Sequence, residues 1–183
     1  MEAKKALIIF ASGFEEIEGI TCVDVLRRAG VDVTVAGLDT QQITAAHNLQ
    51  VHCDTVLEKC SHTLYDAIIL PGGPGTVHLR ESEVVLKLVQ EHYANKKLCC
   101  AICAAPTVLD AAGILTDTVF TAYPGADTAI DAGRSTGRVL EQDRTVITSK
   151  GPGTAQLFAL KIVENLCGES VAEELSAALI ANH

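Results

Sequence analysis

Five short apolar runs recur along the 183-residue chain, several of them bounded by glycine or proline: Ala6–Ala11, Val31–Ala36, Ala67–Leu70, Leu98–Ile102 and Thr145–Thr148. Continuous apolar runs this short are the mark of strands buried on both faces. Between them the hydrophobic period lengthens to three or four. Glu15–Ala29 places Ile17, Ile20, Val23 and Arg27 at helical spacing and stops at Gly30, the residue expected to end a helix. Ser82–Ala94 and Gly153–Leu166 carry similar patterns, the second closed by Gly168, and Ser170–Ile180 reads as a terminal helix on the outside.

Alternating strands and helices predict right-handed crossovers and a mostly parallel sheet with helices on both faces. The expected fold class is a three-layer α/β sandwich of the flavodoxin-like kind, in one domain over residues 1–183. Gln50–Asp54, and the pair Gly137–Glu141 and Arg144–Thr148 turned at Gln142-Asp143, predict a small antiparallel addition. Ligands of such sheets bind at the carboxyl ends of the strands, where the strand order reverses.

Composition narrows the function. The hydrophobic share is 48%, and 14 basic against 23 acidic residues leave a net charge of −9. That balance lacks the basic stripe that nucleic acid or an anionic membrane surface requires of a main partner. No apolar run approaches the roughly 18 residues that span a bilayer. Met1-Glu2-Ala3-Lys4-Lys5 and the six apolar residues after it lack the pattern of a signal peptide, so a cytoplasmic location is expected. The seven cysteines, odd in number and irregular in spacing, then read as reduced thiols.

Three strand ends carry candidate chemistry. The first leads through Ser12-Gly13-Phe14 into Glu15, Glu16 and Glu18. Acids at a helix start complement its dipole, which accounts for Glu15 and Glu16. Glu18 lies a turn further in, where it could face the sheet edge. Another strand ends in Pro71-Gly72-Gly73-Pro74-Gly75, either a tight turn or a source of backbone N–H groups for an oxyanion. No Gly-Lys-Ser/Thr follows to make it a phosphate loop.

Leu98–Ile102 runs into Cys103-Ala104-Ala105-Pro106. Small residues around a polar side chain at a strand-to-helix junction match a nucleophile elbow, although a cysteine there is also an ordinary small core residue. A helix N-terminus should lower the thiol pKa. Cys100 and Cys103 form a C-x-x-C, but three strand residues span roughly 10 Å, beyond the ~7 Å limit of a disulfide. No second such pair completes a zinc site. The histidines are scattered, most of them expected at the surface, and none is assignable as a base from spacing.

The segments ASGFEEIEGITCVDVLRRAGVDVTVAG, YDAIILPGGPG, CCAICAAPTVL, TAYPGA and SKGPGTAQLFALKIVENL, in this order, make the chain resemble the ThiJ/PfpI superfamily and its DJ-one branch over nearly its full length. The resemblance implies that Cys103 is the reactive elbow cysteine and Glu18 a protonated acid beside it that hydrogen-bonds the thiolate. It implies Gly72 and Gly73 as backbone donors facing the sulfur, with Ala104, Tyr123 and Pro152 as site neighbours. It further implies a cofactor- and metal-independent glyoxalase III or deglycase acting on methylglyoxal, related 2-oxoaldehydes or their adducts, with a cysteine prone to sulfinate formation. Non-enzymatic oxidative-stress sensing or chaperoning is the alternative. Many members carry His-Pro where this chain has Tyr123-Pro124, which disfavours Cys-His peptidase or amidotransferase chemistry. The family's homodimer surface resembles the first helix here, with Asp24, Arg27 and Arg28.

Overall fold

The structure, a computed structural model, describes residues 3–181. His183 and the first two residues of the segment read for a signal peptide lie outside them. In chain order the strands are β1 (Lys5–Phe10), β2 (Asp32–Gly37), β3 (Gln42–Thr44), β4 (Gln50–His52), β5 (Thr55–Val56), β6 (Ala67–Leu70), β7 (Leu98–Ile102), β8 (Val119–Phe120), β9 (Arg134–Ser135), β10 (Leu140–Asp143) and β11 (Val146–Ser149). The helices are α1 (Glu16–Arg28), α2 (Leu57–Cys60), α3 (Thr76–Glu81), α4 (Glu83–Ala94), α5 (Pro106–Ala111), α6 (Ala155–Cys167) and α7 (Glu169–Ala178).

Seven strands form one sheet in the order β10-β11-β7-β6-β1-β2-β5, and only the β10–β11 pairing is antiparallel. The continuous apolar runs are explained by a core on each face. Ala6, Ile8 and Phe10 of β1 join Cys100 and Ile102 of β7 in packing under α1 and α6, against Cys22, Leu26, Phe158 and Ile162. The alternate residues Leu7 and Ile9, with Ile68 and Cys99, pack against Val85 and Val89 of α4 and Val108 and Leu109 of α5. A fully buried side chain of this size contributes about 1.5–3 kcal/mol, so both layers are held by the same strands.

Gln50–His52 does form an antiparallel pair, with β3. The β10–β11 hairpin also forms, but not with the predicted turn. Gln142 and Asp143 pair with Ile147 and Val146, and the chain reverses at Arg144-Thr145, with Arg144 left-handed at φ 54°. Gln142 and Asp143 stay in the strand because Asp143 Oδ2 accepts the Val119 N–H at 2.8 Å and Gln142 bonds Asn165. No helix among the described residues is long and apolar enough to cross a membrane.

After β1 the chain builds outward through β2 to β5, then returns to place β6 on the other side of β1 and continues to β7. The order therefore reverses between β1 and β6, which puts the binding crevice at the carboxyl ends of β1, β6 and β7.

Candidate active site

The loops leaving β1 and β6 are stitched together at this crevice. Glu15 N–H donates to Gly72 O at 3.0 Å, and Gly75 N–H donates to Gly13 O at 2.9 Å. Phe14 stacks on Phe10 at 3.9 Å between ring centroids, which anchors the start of α1 to the end of β1. Gly73 is left-handed at φ 87°, and a Cβ on it would meet Glu15 N at 2.7 Å. Only glycine lets the two loops approach this closely.

Glu18, in the first turn of α1 rather than a turn further in, is fully buried and turned to the sheet end. Its Oε2 accepts the Gly72 N–H at 2.7 Å. Its Oε1 is buried without a hydrogen-bond partner, and the Cys103 thiol is close enough to couple to this carboxyl. A Cβ on Gly72 would lie 2.6 Å from Cys103 Cβ and 2.9 Å from Glu18 Oε2, so the bare backbone of Gly72 is wedged between the two side chains.

Cys103 follows β7 in a left-handed conformation, φ 65°, which costs a residue with a side chain roughly 1–2 kcal/mol. Three backbone hydrogen bonds hold it there: Cys103 N–H to Ser149 O (2.9 Å), Tyr123 N–H to Cys103 O (2.8 Å) and Ala105 N–H to Ile102 O (3.0 Å). Pro106 opens α5 just beyond. This is the strained strand-to-helix turn of a nucleophile elbow, and it leaves the residue 9% exposed.

Burial pushes the Glu18 carboxyl up to about 7, against the pull of the Gly72 N–H, and the charge of Glu15 adds to the rise. Burial also pushes the Cys103 thiol up to about 12 when Glu18 is charged, while the N–H groups of Gly73 and Ala104 hydrogen-bond the sulfur and pull the other way. This departs from the lowering expected of a helix N-terminus. The six-residue α5 has a small dipole, and burial beside a carboxylate outweighs it. The two groups titrate as a pair that carries one charge readily and two only with difficulty.

The predicted constellation is thus assembled, with one correction of roles. The Gly72 N–H is spent on Glu18 rather than on the sulfur, and the donors that face Cys103 are Gly73 and Ala104. Tyr123 stands on the rim, half exposed, its ring against Gly151, and Pro152 follows Gly151. Asp24, Arg27 and Arg28 are exposed further along α1. Arg28 Nε donates to Asp24 Oδ2 at 2.9 Å, and Arg27 donates to Asp54 Oδ2 at 3.0 Å. The roles of Glu15 and Ala104 were not apparent from side-chain type, because Glu15 acts through charge and Ala104 through its backbone.

The other six cysteines are unpaired thiols. Cys22, Cys53, Cys99 and Cys100 are buried, and Cys60 and Cys167 are half-buried. Burial pushes the thiols of Cys22, Cys99 and Cys100 well up, away from thiolate formation. His92 is an exception to the expectation of surface histidines. Its Nε2 accepts the Tyr65 N–H at 3.0 Å and its Nδ1 lies 2.8 Å from Leu88 O, so it serves the core. Among the described residues, Glu15, Glu16 and His47 bring possible metal-ligating atoms within 4.8 Å of one another. His47 Nδ1 sits 2.8 Å from Glu16 Oε2, an ion pair that lowers Glu16 and raises His47.

Known proteins share this arrangement of chain and fold. The model of the DJ-1/PfpI family matches residues 4–165. The chain is 43% identical over 187 residues to the Parkinson disease protein 7 homolog of Danio rerio, covering 98% of each. It is 42% identical over 168 residues to a glutathione-independent glyoxalase of Caenorhabditis elegans, covering 90% of each. The crystal structure of Drosophila melanogaster DJ-1beta superposes with a TM-score of 0.96 at 38% identity over the whole of both chains. The family match, the near full-length relatives and the shared fold agree: this chain belongs to the DJ-1/PfpI family.

Proposed function

We propose that the chain is a cysteine-dependent enzyme that needs no glutathione or metal and converts small 2-oxoaldehydes, methylglyoxal among them, to 2-hydroxy acids. The observation that carries this reading is Glu18: a fully buried carboxyl with one oxygen tied to Gly72 and the other unpartnered beside the elbow thiol. A buried carboxyl oxygen without a donor favours holding a proton. Passing the Cys103 proton to that carboxyl as the substrate approaches puts the single charge of the pair on sulfur, where it is nucleophilic. A glyoxalase among the relatives supports small reactive carbonyls as substrates.

In this mechanism the Cys103 thiolate adds to the aldehyde carbon, forming a C–S bond. The carbonyl electron pair moves to oxygen, stabilised by the Gly73 and Ala104 N–H groups, and Glu18 supplies the proton. The Glu18 carboxylate next removes the hydrogen of that carbon and delivers it to the neighbouring keto carbon, while the hydroxyl proton of the adduct passes to the keto oxygen. The aldehyde carbon is thereby oxidised to a thioester while its neighbour is reduced to an alcohol. Water hydrolyses the thioester, releases the hydroxy acid and regenerates the thiol. The net reaction consumes one water and no external oxidant. The same addition to methylglyoxal adducts would serve a deglycase activity.

A second reading is oxidative sensing through a Cys103 sulfinate, whose oxygens the same donors and a protonated Glu18 would hold. Peptidase chemistry is disfavoured by Tyr123, since a phenol cannot take the place of imidazole as base near neutral pH. The active form is proposed to be a cytoplasmic homodimer joined through α1. Ile17 and Ile20 are 55% and 38% exposed there, beside an open groove of about 570 Å³ that Pro152 and Gln156 also line.

Steady-state turnover of methylglyoxal to lactate by wild type, Cys103→Ser and Glu18→Gln tests the enzymatic reading. Loss in both variants is expected. Wild-type rates in either would overturn it.

A further inference from the structure

The chain has three tyrosines, four phenylalanines and no tryptophan. All four phenylalanines and Tyr65 are buried and Tyr93 is partly so, whereas Tyr123 is 50% exposed. The one aromatic ring given to solvent therefore stands beside the nucleophile elbow. An exposed ring beside a buried thiol and acid is a feature to be explained by what it meets.

Its position is tied to the nucleophile by short links. The Tyr123 N–H donates to Cys103 O at 2.8 Å, and Cys103 N–H donates to Ser149 O at 2.9 Å. Ser149 Oγ meets Thr154 Oγ1 at 2.7 Å, and Thr154 Oγ1 accepts the Gly151 N–H at 3.1 Å. One side of the ring lies against Gly151: Cδ2 and Cε2 are 3.2 and 3.7 Å from where a Cβ of that residue would be. The ring is thus seated on backbone that is linked through Thr154 to Ser149, the residue that also holds the elbow, with part of its surface still free.

We propose that Tyr123 is the aromatic wall of the substrate cleft and favours 2-oxoaldehydes that carry a planar aromatic substituent. This rests on the reading of Cys103 as the nucleophile. The free part of the ring offers a planar group an offset or edge contact, and a methyl group gains far less from it. Tyr123 acts here as a specificity-determining residue and moves no proton.

The test compares kcat/KM for phenylglyoxal and methylglyoxal in wild type, Tyr123→Phe and Tyr123→Ala. Tyr123→Ala should lower the phenylglyoxal-to-methylglyoxal ratio by about five- to tenfold, the size of one aromatic contact, mainly through KM. Tyr123→Phe should keep the wild-type ratio. A Tyr123→Ala ratio within about twofold of wild type, or an equal loss in Tyr123→Phe, overturns the proposal. Wild-type turnover by Cys103→Ser would instead overturn the underlying reading. A measurement independent of turnover is NMR titration of the Cys103→Ser protein with mandelate and lactate. Adding Tyr123→Ala should weaken mandelate about fivefold and leave lactate unchanged; equal mandelate affinity overturns the proposal.

Discussion

The Gly72 N–H and Glu18 Oε2, 54 residues apart in sequence, meet at 2.7 Å in the crevice between β1 and β6. This bond leaves Glu18 one oxygen with which to face Cys103. Because burial holds the carboxyl near 7, above its ordinary 4.5, the fold favours the protonated form. That stabilisation is complete below about pH 4.5 and is lost as the pH rises through 7. Glu18→Gln should therefore be more stable than wild type at pH 8.5, by roughly 3 kcal/mol. The gap should close toward pH 5. Urea denaturation across this range measures it, and a gap independent of pH would contradict the raised carboxyl. Methylglyoxal turnover should fall at least ~100-fold in the same variant.

Gly72→Ala probes the wedge between the nucleophile and the acid. The new methyl would sit 2.6 Å from Cys103 Cβ and 2.9 Å from Ala104 N. Relief must come from displacing the elbow or the loop, at a cost of about 1–3 kcal/mol. Thermal melts should show the loss, and kcat should fall by more than about tenfold, since the displaced groups are the reacting ones. A Gly72→Ala protein with the wild-type melting temperature and rate would refute the geometry.

Thiol selectivity follows from burial and coupling. Cys22, Cys99 and Cys100 are closed off inside the two cores, while Cys103 is at a surface crevice with an acid and two N–H donors. About two equivalents of peroxide, one for each oxygen, followed by intact-mass and peptide analysis should find two added oxygens on the Cys103 peptide. Cys103→Ser should resist the same treatment. Oxidation spread evenly over Cys60, Cys103 and Cys167 would be the opposing result.

Association through α1 predicts a sedimenting species near twice 19.3 kDa at micromolar concentration. Ile17→Asp, which places a charge on an already exposed position, should shift it to the monomer without lowering the melting temperature of the monomer fold. A wild-type protein that sediments as a monomer would remove this interface.

Ala67–Leu70 and Leu98–Ile102 were legible to the residue because interior parallel strands leave no room for polar alternation. Cys103 and Glu18 were legible from their neighbours in sequence, since a small-residue elbow and an acid in the first turn of a helix are local patterns. What lay beyond local pattern is set by distant partners. Asp143 was read as a turn residue, yet the Val119 N–H holds it in β10. The N–H of Gly72 was read as aimed at sulfur, yet the carboxyl of Glu18, reaching across from α1, captures it. The direction of the Cys103 shift depends on burial and on the charge of Glu18, neither of which is written in residues 98–106.

The two ends of the main sheet bear on how copies of this chain can meet. One edge is β5, only two residues long, and the other is the antiparallel β10, which carries Glu141, Gln142 and Asp143. Neither offers the long, flat, uncharged template that invites another chain to add a strand. The main sheet is in this way guarded against growing by edge-to-edge polymerisation, even with strands as apolar as Ala-Ile-Ile-Leu inside it.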